Sequence, residues 1–157
     1  MDHVWIRQSV IDYIFRNGRE WLPKETGGIL IGYCTADGGF VITGHVGTGE
    51  KAFHGLTGFK PDQVFHQNEI RRIYRETDRL ETHLGDWHTH PNAHPYLSPR
   101  DKAAFQIIAH HKPARLVHPL MLIASPPGEE VGVWIYKKPT RFEKNETYKK
   151  GKLIIFE

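Results

Sequence analysis

At 157 residues, 39% of them hydrophobic and 25% charged, the chain is about one domain long and carries enough apolar side chain for one core. Its formal net charge of +3 is modest, and the basic clusters at Arg71, Arg72, Arg75 and Arg79 and along residues 137–152 have acids interleaved or nearby, so they read as solvated faces rather than a nucleic-acid surface. Cys34 is the only cysteine, which excludes an intrachain disulfide and a cysteine-built zinc site and fits a reducing cytoplasm; no stretch reaches the ~18 apolar residues of a membrane helix, and residues 1–16 lack the unbroken apolar run of a secretion signal.

Residues 4–6 read as a short strand. Ser9 can then cap a helix whose Val10, Ile11, Ile14 and Phe15 share one stripe, with Asn17-Gly18 as its stop. Pro23 breaks the chain, and residues 26–34 carry Ile29, Leu30, Ile31 and Tyr33 in the near-continuous apolar run of a buried strand. Ala36-Asp37-Gly38-Gly39 is a turn signal that returns the chain as a second strand, 40–46, making a hairpin. The glycine-rich segment 47–60 predicts a mobile loop rather than a regular element, of the kind that borders a site. Residues 61–81 form the longest helical candidate, with Val64, Phe65, Ile70, Ile73 and Tyr74 facing inward. A strand at 84–90, a helix at 99–110 with an Ala103, Ala104, Ile107, Ile108 stripe, and strands at 120–125, 131–136 and 153–156 complete the order. Hairpins mixed with crossover helices predict an α/β sandwich around a mixed sheet, and no repeat or linker divides residues 1–157.

The chemistry concentrates between residues 88 and 101. His88 and His90 stand at i and i+2 of a strand, where alternate side chains share a face, whereas Trp87 points the opposite way, toward the core. Ser98-Pro99 then opens a helix with Ser98 as N-cap and Asp101 at its third position, which turns Asp101 back toward the histidines. A catalytic zinc keeps three protein ligands and one open position, and two histidines with one aspartate meet that count. Glu25, at the mouth of the apolar strand, is the candidate general base, and Ser98 the candidate donor to a developing oxyanion. Taken singly these are ordinary features: a packed histidine pair, a capping box, a turn carboxylate. A metallo-β-lactamase would continue His-x-His with Asp-His, where this chain has Pro91-Asn92, and a zinc nucleobase deaminase needs cysteines that are missing.

Glu25, then His88-x-His90-Pro91, six residues, Ser98, two residues and Asp101 resembles the full signature of the JAMM metalloproteases, the catalytic members of the JAB/MPN domain family. The resemblance extends through the Gly-Gly-x-Leu-x-Gly strand after Glu25 and spans roughly residues 4–136. It implies a cytidine-deaminase-like three-layer α/β sandwich and a zinc-dependent peptidase or isopeptidase. In it His88, His90 and Asp101 would hold Zn2+, Glu25 would shuttle the proton and Ser98 would steady the tetrahedral intermediate. It further implies a ubiquitin-like protein or its conjugate as substrate, with the short bacterial members resembling components of antiviral operons that also encode ubiquitin-transfer-like enzymes. The segment 47–60 lies where relatives carry an insertion guiding the substrate tail, while the long second insertion of some eukaryotic deubiquitinases is missing. The alternative within the same family is a catalytically inert MPN-type binding module.

Overall fold

The computed structural model describes residues 2–111, 116 and 118–157. Strand β2 (Gly27–Cys34) is buried at its first six positions, which a strand achieves only when both of its faces are covered. The covers are helices on opposite sides. Helix α1 (Gln8–Trp21) packs Val10, Ile11, Ile14 and Phe15 into a cluster that includes Leu30, while helix α2 (Gln63–Glu76) sets Phe65, Ile70 and Ile73 against Ile29, Ile31 and Val46. Alternation along a single strand thus feeds two cores.

Around β2 the sheet is completed by β1 (His3–Arg7), β3 (Phe40–Val46), β6 (Thr82–Thr89), β7 (Leu120–Ser125), β8 (Glu130–Lys137), β9 (Thr147–Lys150) and β10 (Lys152–Phe156). The spatial order is β10-β1-β3-β2-β6-β7-β8-β9, with β1 parallel to both β10 and β3, β6 parallel to β7, and the remaining pairs antiparallel. Helix α3 (Pro99–Ala109) covers the side of β7 and β8 opposite α1, burying Phe105 and Ala109 with Met121, Ile123, Trp134 and Tyr136. The three-layer arrangement with a mixed sheet is the one expected from the sequence.

β9 and β10 occupy opposite ends of that order yet follow one another through Gly151. The Gly151 N–H donates to Val133 O at 2.9 Å and the Lys152 N–H to Asp2 O at 2.8 Å, so the sheet curls until its two ends meet. Lys149 and Lys137 close on the Asp2 carboxylate at this seam, and the Lys149 ammonium above all holds that carboxyl below its usual range against the opposing effect of burial. A depressed folded-state pKa contributes stability that is present above the unfolded value near ~4 and is lost as pH falls through the folded value. Asp2→Asn therefore lowers the melting temperature at pH 7, through a loss of no more than about 1 kcal/mol for pairs this exposed, and lowers it less at pH 2; equal shifts at both pH values would remove the ion pairs as the cause.

Several local expectations are corrected. Helix α1 begins two residues earlier than a Ser9 cap requires, with Arg7 as N-cap and no side-chain cap, and it runs through Gly18 to Trp21. Gly18 is a packing position rather than a stop, because a Cβ there would lie 2.6 Å from Pro126 Cγ. Helix α2 ends at Glu76, where Asp78 and Arg79 turn left-handed, and its inward stripe excludes the exposed Val64 and Tyr74 and includes the buried His66, whose Nε2 meets Gly47 O at 2.7 Å. In α3 the buried set is Asp101, Phe105 and Ala109; Ala103, Ala104 and Ile107 face outward, Ile107 being 74% exposed. The segment 47–60 contains a small hairpin, β4 (Phe53–His54) paired antiparallel to β5 (Phe59–Lys60), instead of forming a structureless loop.

Gly85 pairs with Leu30 on one side and Leu120 on the other, and a Cβ added to it would fall 2.0 Å from Leu120 O. Gly85→Ala must push β6 away from β7. We expect a loss of about 1–3 kcal/mol in chemical denaturation; an unchanged midpoint would show that the strands part without cost.

Candidate active site

The end of β6 is fixed from both neighbours. Thr89 N–H donates to Thr26 O at 3.0 Å, Thr26 N–H donates to the Thr89 hydroxyl at 3.0 Å, and His90 N–H donates to Ala124 O at 2.8 Å. With Thr89 and Trp87 buried on one face, His88 and His90 are presented together on the other, their ring centroids 5.2 Å apart. Asp101 arrives from α3 through a complete capping box: the Ser98 hydroxyl accepts from Asp101 N–H at 3.1 Å, and Asp101 Oδ2 accepts from Ser98 N–H at 2.9 Å. The same carboxylate places Oδ1 2.9 Å from His88 Nε2 and Oδ2 3.2 Å from His90 Nε2.

Burial alone would push the Asp101 carboxyl up, but the two imidazoles and the Ser98 N–H outweigh it and hold it well below the usual carboxylate range. His90 is the mirror case: burial opposes its charge, yet the Asp101 hydrogen bond and charge raise its pKa. Glu25 goes the other way, its carboxyl raised chiefly by burial against the pull of His88, His90 and Arg100. Despite its closeness to Asp101, His88 Nε2 is buried without an aligned hydrogen-bond partner among the described residues. A buried imidazole nitrogen left in that state has a lone pair to offer a cation.

Glu25 sits in the connection between α1 and β2, and its carboxylate lines a cavity of about 410 Å³ together with His90, Ser98, Arg100 and Asp101. A second cavity of about 300 Å³ shares Glu25, Arg100 and Asp101 with the first and continues over Phe59, Ala104 and Ile107. All five residues expected to act together are therefore gathered at one place, Glu25 and Asp101 at the junction of two clefts. Ser98 spends its acceptor on the helix cap and keeps an O–H to donate into the cavity.

Residues that sequence reasoning passed over also line this place. Arg100 faces both clefts, its only sequence signal being that it adjoins Asp101. Tyr96 packs edge-on against His90 with centroids 5.2 Å apart, and His94 offers its backbone O toward His90 Nδ1 at 3.4 Å. His94 thus borders the site through its backbone; His110, His111 and His118 lie exposed on the surface.

Residues 7–136 match the family of prokaryotic homologs of the JAB domain. The chain belongs to that family. This JAB-domain protein is 36% identical over 121 residues to a protein of Sinorhizobium fredii named "Probable metalloprotease", covering 76% of the chain and 74% of that relative. It is 29% identical over 79 residues to the CD-NTase/cGAS isopeptidase of Escherichia coli, covering 50% of the chain and 49% of that protein. A solution structure from Desulfitobacterium hafniense superposes with a TM-score of 0.68 over 98% of this chain and 93% of its own, and at 18% identity it shows a shared fold alone. In the JAB-domain chain the donor atoms of His88, His90 and Asp101 lie within 4.8 Å of one another, an arrangement consistent with a metal ion. No helix among the described residues is long and apolar enough to cross a membrane.

Proposed function

We propose that this chain is a zinc-dependent metalloprotease or isopeptidase, acting in the cytoplasm as a single domain over residues 1–157, in which His88, His90 and Asp101 hold Zn2+. The observation carrying this reading is the convergence of two imidazole nitrogens and one carboxylate beside a cavity that Glu25 and Ser98 also line. Two nitrogens and one carboxylate, with no thiolate, suit zinc in a hydrolytic rather than a structural site. Bound there, the metal would supply Lewis-acid polarisation of the scissile carbonyl and acidification of a water molecule.

The protein's own groups do the rest. Glu25, its carboxyl pKa raised by burial, takes a proton from the attacking water and returns it to the leaving amine. Ser98 donates its hydroxyl to the oxygen on which negative charge gathers. Asp101 stays ionised between the two imidazoles and keeps them oriented. The substrate we favour is a ubiquitin-like protein or its conjugate, with ubiquitin-transfer-like enzymes as companions in bacterial antiviral defence. The isopeptidase name of the Escherichia coli relative supports that choice, as does the apolar cleft over Phe59, Ala104 and Ile107, which suits an extended tail. The test is to incubate the zinc-loaded protein with a ubiquitin-like protein encoded beside its gene, fused through its carboxyl end to a reporter, with and without chelator, and to read the cut by mass spectrometry. A chelator-sensitive cut is expected; a chain that neither cuts nor retains about one zinc would be the inert binding module instead.

A further inference from the structure

We infer that His54, on the β4–β5 hairpin, is a positioning residue for Glu25, so that the hairpin bordering the cleft and the group that moves the proton form one mechanical unit. The inference rests on the reading of Glu25 as proton shuttle. Lying between α1 and β2, Glu25 has no ladder or helix partner for its main chain. Both of its peptide groups go to the hairpin: Glu25 N–H donates to Gly55 O at 2.8 Å, and Glu25 O lies 3.0 Å from His54 Nδ1. A carbonyl only accepts, so Nδ1 carries the proton at this contact. Burial, which lowers the pKa of His54, supports the neutral form.

The ring itself is packed by two aromatic neighbours. Trp21, the last residue of α1, stacks on His54 with centroids 3.3 Å apart and planes 5° from parallel. Phe59 leans on it from β5 at 5.2 Å, and a Cβ at Gly27 would come within 2.8 Å of the same Phe59 ring, so hairpin, α1 and the start of β2 are packed around the Glu25 backbone. The turn is closed by Gly55 N–H donating to Gly58 O at 2.8 Å, which places Leu56 and Thr57 at the cavity mouth facing Glu25. Removing the imidazole frees one of the two main-chain anchors and leaves the metal-site residues untouched.

Catalysis is sensitive to misplacements of about 1 Å, which can cost on the order of 10²-fold. With fluorogenic peptide amides carrying glycine before the cut as probe, zinc-loaded His54→Ala is expected to lose about 10- to 100-fold in kcat with KM unchanged and zinc content intact. His54→Asn, whose amide nitrogen can stand where Nδ1 stands, recovers part of the loss and also serves if the alanine variant folds poorly. A wild-type kcat in His54→Ala, or a loss confined to KM, overturns the inference. Hydrogen exchange at the Glu25 amide reads the clamp without substrate: it is expected to be slow in wild type and faster in His54→Ala. A wild-type protein that cleaves nothing sinks the protease reading, and unchanged exchange in His54→Ala separately sinks the clamp.

Discussion

Glu25→Gln, purified with its zinc, is expected to lose about 10²- to 10⁴-fold in kcat while binding metal and substrate as before. The substitution keeps size, polarity and both main-chain bonds to the 54–55 backbone and ring, and removes only the ability to take up a proton. Because Glu25 is not among the three converging donors, its loss should leave the metal content at the wild-type level, which separates a proton-transfer defect from a ligand defect. Comparing kcat with zinc content in the same preparation checks this. Wild-type turnover by the glutamine variant would sink the assigned role of Glu25 and with it the proposed mechanism.

Asp101→Asn carries the second large effect. The carboxylate reaches both imidazoles and closes the helix cap, so one side chain is shared by the metal centre and by the fold. An amide can still accept the Ser98 N–H, but it brings no charge and only one acceptor to the place where two were used. Altering groups that merely support metal ligands typically costs 10- to 100-fold in affinity. Replacing a ligand should exceed that, and we expect the asparagine variant to purify with about a tenth of the wild-type zinc or less while the helix persists by circular dichroism. Activity falls with the metal, and combining Asp101→Asn with Glu25→Gln costs no more than the worse of the two, because the groups act as a unit. Full zinc occupancy in Asp101→Asn would remove the carboxylate from the proposed ligand set.

Much of the site was legible because its parts obey short-range rules. The period of a strand puts His88 and His90 on one face, and Ser98-Pro99-Arg100-Asp101 encodes a helix start that turns Asp101 inward. Glu25 had no such periodic rule and was singled out by its place at the mouth of the apolar strand, ahead of Gly27-Gly28, and then by the resemblance to the family signature. The hairpin that holds it stayed hidden, since β4 and β5 are two residues each, too short to show any alternation, and the stacking of Trp21 on His54 joins residues far apart in the chain. In α3 the stripe read from Ala103, Ala104, Ile107 and Ile108 gave way because the capping box points Asp101 to the histidines, which puts Phe105 and Ala109 under the helix and turns Ile107 out. Strand β9 escaped notice because Thr147, Lys149 and Lys150 are polar, and only Tyr148 packs inward.

The seam at Gly151 has a consequence for how the chain reaches its native state. β1 lies between β3 and β10, and its register from His3 against Lys152 to Arg7 against Phe156 is filled only by β10, at the far end of the described sequence. Until then β1 shows an open row of peptide groups, the kind of template on which unfinished chains associate. Pairing over nearly the whole sequence also delays folding, since the longest loop must close before the bonds it permits can form. Chains truncated before β10 should therefore be recovered in inclusion bodies rather than as soluble enzyme with a frayed end, because what they lack is the cover of their first strand.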